Sequence, residues 1–455
     1  MLRRCARFIC AFMLLLVLPG CGLKSPEELY TLPKPTSEYE SLQTCLDELQ
    51  TQGYEFAAPL AGSNTQSVQM EDLDGDGEDE AIAFFRDSSG EDKPLKICIF
   101  RSDGSGGYTT AAKIEGDGDA INSIAYCQMN TTDMAELVVG WRISTQVYAL
   151  SVYSLENYNV TELLSAPSYS RYIVRDLDQD NQGELVLFQL ATAEDGGNSA
   201  TYYDWMDDTL MYVNTEPLSN TIASIQSMDY GNLRGGYPAL YVSSTIQESS
   251  NILLTDVLEV RDDLLVNITM DNSGESSQTQ RLNLVDICDI DNDNVLEIPT
   301  TVLLGSSTTI DNSESVYVEK WKQYYMSGRE AVSCCTYHNV ADGWYYVLPD
   351  SWQDNLDSLI LSRSEVSLGS TVEHSITFYC TQKGVSDPVP FLTIYKNTGS
   401  NRVGRSSLGE RFLLQETGDA TYAAELYQES VFDTALTQQT VTDCFNLIVT
   451  DWSAE

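Results

Sequence analysis

The chain has 455 residues, with 25 Lys and Arg against 68 Asp and Glu, only 2 His, and a formal net charge of −43. Its 42% hydrophobic residues suffice for real cores, and its length suggests roughly two to four domains of about 100–200 residues each. No basic stripe is available to neutralise phosphates, which argues against nucleic acid as a partner, and two histidines argue against a His-rich metal site.

Arg3, Arg4 and Arg7 precede an unbroken apolar run over residues 8–18. A bilayer-spanning helix takes about 20 apolar residues. The shorter run therefore reads as the core of a signal peptide covering residues 1–20. It ends in Leu18-Pro19-Gly20-Cys21, which resembles the lipobox of bacterial lipoproteins, with Pro19 as a departure. The resemblance implies cleavage before Cys21, acylation of its thiol, and a protein lipid-anchored to the cell membrane and facing outside the cytoplasm. Residues 21–53 begin as a tether with Pro26, Pro33 and Pro35. Leu42, Cys45, Leu46 and Leu49 then predict a short amphipathic helix over residues 39–49.

Residues 54–330 are repetitive. Three segments read alike, beginning at Asp72, Asp176 and Asp289. Each carries acidic residues at positions 1, 3, 5 and 9: Asp72, Asp74, Asp76 and Glu80; Asp176, Asp178, Asp180 and Glu184; Asp289, Asp291, Asp293 and Glu297. Degenerate copies start near residues 128 and 229. An apolar strand follows every copy and a short one precedes it, with two more strands closing the unit. Four short antiparallel strands in about 50 residues make one blade of a β-propeller. The fold class expected is mainly β, a propeller of about five four-stranded blades followed by a small α+β domain. Residues 54–58 read as the strand that completes the last blade, and residues 324–326 as that blade's fourth strand.

The loop pattern between a strand and an apolar strand resembles the FG-GAP/VCBS repeat family, the integrin-type propeller, although the FG and GAP tripeptides are missing. The four carboxylates per loop supply hard oxygens of the kind Ca²⁺ takes in sets of six to eight. Gly77, Asn181 and Asn294 at position 6 permit a left-handed turn. An EF-hand would need Glu at position 12, where the first loop has Ala83. The second copy, with Gln128, Asn130, Thr132 and Glu136, carries little charge. Structural Ca²⁺ that staples the blades is therefore the expected cofactor.

From residue 331 the pattern changes. Trp344 to Trp352 reads as a strand, a Pro turn and a Trp, and Val441, Cys444, Phe445 and Ile448 fit one helix face. Residues 331–455 resemble the PsbP/Mog1-like α+β fold of bacterial lipoproteins. Eight cysteines remain beyond Cys21, without regular spacing, and read as buried thiols rather than a disulfide framework. Cys335-x-x-His338 is suggestive of a thiol site, but its strand setting favours packing. No Gly-x-Ser-x-Gly elbow, Ser-x-x-Lys or phosphate loop in a strand-to-helix setting occurs, and the chain is read as non-catalytic. The expectation is a lipid-anchored extracytoplasmic binding or scaffolding protein with a protein or glycan ligand. The alternative is a propeller enzyme acting on cell-wall or environmental glycans.

Overall fold

A computed structural model describes residues 37–88, 93–130, 132–191, 197–282, 285–307, 310, 316–381 and 387–448. The signal peptide, Cys21 and the proline-rich tether lie outside the described residues. The chain is mainly β and falls into two compact units. Among the described residues no helix is long and apolar enough to cross a membrane.

The first unit comprises, among the described residues, 37–58, 65–72 and 76–117. The expected helix is present as Ser37–Thr51. Its Leu42 and Leu46 are buried with Ala81, Ala83, Phe85, Cys98 and Phe100 of a five-stranded sheet. Ser41 Oγ accepts the Tyr108 backbone N–H at 2.9 Å and ties the helix to that sheet. Residues 54–58 correct the sequence reading. Tyr54–Phe56 pairs antiparallel with Glu80–Asp87 in this first sheet, not with the last one. The reason is aromatic packing: Phe56 stacks on Phe85 at 4.8 Å and Tyr54 meets it edge-on at 6.0 Å.

The second unit comprises residues 59–64, 73–75 and those from 118 onward. Three antiparallel meanders come first. The first runs through Ala120–Cys127, Glu136–Arg142, Tyr148–Ser154 and Thr161–Ala166. The next uses Arg171–Arg175, Glu184–Gln189, Ser199–Met206 and Thr209–Pro217. The third uses Ile222–Asn232, Pro238–Ile246, Ser249–Arg261 and Leu264–Asn267, with Arg281–Leu282 added beside Ser249–Arg261. Tight hairpins turn on paired aspartates, Asp207-Asp208 and Asp262-Asp263, all with φ between 50° and 61°. Such left-handed pairs match the twist of the flanking strands.

The fourth sheet of this unit departs from the expected grammar. Its strands are Ile298–Leu303, Tyr317–Tyr324, Glu330–Asn339, Trp344–Leu348 and Phe445–Leu447, in that order. The fourth strand expected at residues 324–326 is instead the end of Tyr317–Tyr324 and a turn. Glu330–Asn339 pairs with Tyr317–Tyr324, so the boundary read at residue 330 falls inside a sheet. The strand expected at 284–288 is, among the described residues, a single bridge between Cys288 and Glu297. The C-terminal helix is Gln438–Cys444, opened by a capping box of Thr437 and Thr440. Phe445 then begins a strand against Trp344–Tyr346 rather than continuing the helix. A fifth sheet holds Leu359–Leu368, Thr371–Cys380, Val389–Gly399, Ala420–Leu426 and Phe412–Glu416.

Successive sheets of this unit share cores. One cluster joins Val138 and Val152 to Leu185 and Leu187. Another joins Val186 and Phe188 to Leu240 and Val242. A third joins Tyr241 and Val257 to Ile298 and Tyr324. The largest joins Leu304, Val318, Trp344 and Trp352 to Phe378, Phe391 and Ile394. Packing is thus continuous through residue 330, and Trp344 and Trp352 are both core residues.

Candidate metal centre

Each acidic loop is built by its own backbone. In the second, Asp176 accepts the backbone N–H of Gln179 at 2.7 Å through Oδ1 and that of Asn181 at 3.1 Å through Oδ2. Asp178 and Asp180 each brace the N–H two residues on, at 3.1 and 2.7 Å. Glu184 Oε2 accepts the Leu177 N–H at 2.5 Å. The third loop repeats this: Asp289 accepts from Asp293 at 3.0 Å and Asn294 at 2.8 Å, Asp293 from Val295 at 2.9 Å, and Glu297 from Ile290 at 3.0 Å. In the first, Asp72 accepts from Gly77 at 2.9 Å.

The turn requires left-handed backbone twice. Position 6 has φ of 88° at Gly77, 69° at Asn181 and 66° at Asn294. Position 4 is left-handed as well, with 75° at Gly75, 70° at Gln179 and 62° at Asn292, a feature the sequence reading did not include.

This geometry gathers the carboxylates. Asp176, Asp178, Asp180 and Glu184 each offer one oxygen, all within 4.8 Å of one another, and Asp289, Asp291, Asp293 and Glu297 do the same. The first loop gathers Asp72, Asp74 and Glu80 but not Asp76. These groups can hold a metal ion. Glu184 and Glu297 are fully buried. Burial, with Asp178, Asp204 and Asp180 adding charge, pushes the Glu184 carboxyl up to about 9. Burial with Asp291 and Asp293 raises Glu297 to about 7. Asp178 and Asp291 are raised by burial and by their acidic neighbours. Most telling, Glu184 Oε1 is buried without a hydrogen-bond partner. A buried, unpartnered carboxyl oxygen among three more carboxylates fits a bound cation or, without one, a retained proton.

The degenerate second copy satisfies itself without an ion. The Asn130 side-chain amide donates to Glu136 Oε1, and the Met129 N–H donates to Glu136 Oε2 at 3.0 Å. Gln128 Nε2 donates to the Thr132 carbonyl at 2.7 Å. In the copy near residue 229, Asp229 lies within the strand Ile222–Asn232, and Ser227 Oγ donates to its carboxylate at 3.0 Å.

Sequence reasoning missed one position in each of the second and third acidic repeats. Leu185 pairs with Tyr203 and Ile298 with Lys322, which places Asp204 and Gln323 one step along, across from the loop glutamates. Gln323 Nε2 donates to Asp293 Oδ2 at 2.8 Å and Glu297 Oε1 at 2.5 Å. Asp204 instead adds negative charge beside Glu184 and Asp178. Aligning the third strands of the repeats would have exposed this position.

The thiol motif is packing. Burial pushes Cys335 up to about 11 and His338 down to about 4. His338 stacks on Tyr345 at 5.0 Å and hydrogen-bonds Thr336 at 2.8 Å. The eight described cysteines are all free thiols. His374 pairs with Asp342 at 2.5 Å. Compared with known proteins, the chain matches no family model and no curated protein sequence.

Proposed function

We propose that this chain is a lipid-anchored extracytoplasmic binding or scaffolding protein, built as an FG-GAP/VCBS-type propeller with Ca²⁺-stapled blades. Four-stranded meanders that share cores in chain order support the propeller reading. The observation that carries the metal is Glu184, fully buried with an unpartnered oxygen in a group of four carboxylates. Ca²⁺ suits such a group better than Mg²⁺, which keeps its waters and tolerates few carboxylates. The second copy, closed by Asn130, takes no ion.

Thermal melting of the full-length chain in EDTA and in millimolar Ca²⁺ tests the metal. An ion held 100-fold above its Kd adds about 2.7 kcal/mol per site, a shift of several degrees. Identical melting temperatures would overturn the assignment. The anchor rests on Leu18-Pro19-Gly20-Cys21. With Cys21→Ser, fatty-acid labelling of cells should drop to background, because the acyl donor attaches only to the thiol. Equal labelling would remove the lipoprotein reading.

A further inference from the structure

A cavity of about 650 Å³ lies in the second unit, between the strands Ala120–Cys127 and Arg171–Arg175, and none of the loop carboxylates lines it. Its volume is that of a small-molecule site. Three tyrosines form one wall. Tyr148 meets Tyr169 at 6.2 Å and Tyr169 meets Tyr172 at 5.7 Å, both edge to face. Ser123 and Asn122 supply a hydroxyl and an amide, with Ser123 Oγ 3.3 Å from the Tyr172 hydroxyl.

Two features mark this cavity as built rather than left over. The first is Tyr169, only 9% exposed. Its hydroxyl sits beside the Ser123 and Asn122 side chains, whose hydrogen bonding partly offsets the rise that burial imposes on it. A Cβ at residue 140 would collide with that hydroxyl and with Ser123 Oγ, and glycine stands there. A tyrosine hydroxyl both donates and accepts, so a ligand oxygen can join this polar cluster. The second is charge. In a chain with 25 cations against 68 acids, Arg171 and Arg175 both line this cavity. Arg175 lies 5.9 Å from the Tyr230 ring and donates to the Val174 carbonyl at 2.8 Å. Arg171 is exposed at the rim, and its charge reaches the Tyr169 hydroxyl.

Each feature narrows the ligand. Guanidinium groups repel a cation. The hydroxyls and amide disfavour a plain hydrophobe. A tyrosine face packs on the C–H face of a saturated ring, while the hydroxyl of a neighbouring tyrosine bonds the ring's oxygens. Burial pushes the Tyr172 hydroxyl up to about 12, so it stays neutral and can donate. A doubly charged phosphate would meet the field of a −43 chain at about twice the cost of a carboxylate.

We propose that this cavity binds an acidic sugar, a pyranose bearing one carboxylate. Arg171 takes the carboxylate in a forked pair, and Tyr169, Tyr172 and Ser123 take the ring hydroxyls. The purified full-length chain is titrated by calorimetry with glucuronate, glucose and glucose 6-phosphate. Glucuronate should bind saturably, and glucose about tenfold more weakly for want of one charge-assisted bond. Arg171→Gln, a rim change, should erase that preference. Tyr169→Phe should weaken both sugars about fivefold. Unchanged melting temperatures show that the variants are folded, and if Tyr169→Phe melts early, Arg171→Gln decides alone. No saturable glucuronate binding on the order of 10 mM, equal affinity for glucuronate and glucose, tighter binding of the phosphate, or a preference that survives Arg171→Gln would each overturn the assignment.

Discussion

Glu184 is a carboxyl whose environment opposes its own charge. Burial is the larger cause and the acids around it the smaller, and together they place it at about 9. The folded, metal-free chain therefore holds this proton well above the ordinary carboxylate range, while the unfolded chain releases it near 4.5. A raised carboxyl contributes stability that is complete below the unfolded value and lost as pH rises toward the folded one. Metal-free protein should thus lose stability between about pH 4.5 and 9 at this site, whereas metal, which needs the ionised form, should bind more tightly over the same range. Glu184→Gln separates the two effects. In EDTA at pH 8 the variant should melt above wild type. In Ca²⁺ it should lack one site's share of stabilisation, about 2–3 kcal/mol. Melting curves at pH 5.5 and pH 8 check both signs, and a variant that keeps the full Ca²⁺ response excludes Glu184 as a ligand.

At the scale of the element, the loops differ by what closes them. Asn130 closes the second copy with an amide. Asn130→Asp would set a second carboxylate against that of Glu136, which is already raised by burial. In EDTA the variant should lose about 1–3 kcal/mol of stability, and millimolar Ca²⁺ should restore part of it. Calcium-insensitive melting would show that this loop lacks the geometry of its neighbours. The contrast also shows what was legible in the sequence. Alternating Asp and Asn with a left-handed residue at position 6 is local chemistry, and three loops were visible from it. Gln323 lies 26 residues beyond Glu297, and only strand register brings them together. Tyr54–Phe56 was assigned to the wrong sheet for the same reason, since its partner is chosen by the Phe85 ring. Phe445 continues a helical spacing, yet pairing with Tyr346 overrides local preference and makes it a strand.

For the molecule as a whole, the second unit is a series of sheets with cores in common, and its C-terminal part belongs to that series. A chain ending at Gly328 would strip the Glu330–Asn339 partner from Tyr317–Tyr324 and uncover Leu304 and Val318. Exposed strand edges beside apolar side chains invite aggregation. The truncated chain should be insoluble or rapidly proteolysed, although composition and motif suggested a clean division there. Limited proteolysis decides, and a soluble, protease-resistant 1–328 fragment would restore the boundary.

In the second acidic loop Asp178, Asp180 and Glu184 each give one oxygen to the backbone and Asp176 gives both, while Glu184 keeps Oε1 without a hydrogen-bond partner. An ion arriving there finds a cradle already in shape. Little chain entropy is lost on binding, so the free energy of association goes into affinity rather than into ordering a loop. If an ion is bound there, its removal should leave a framed pocket of acidic groups instead of a collapsed turn. The loops would then act as rigid charged frames, and the repulsion inside them would vary with how much cation the surroundings supply.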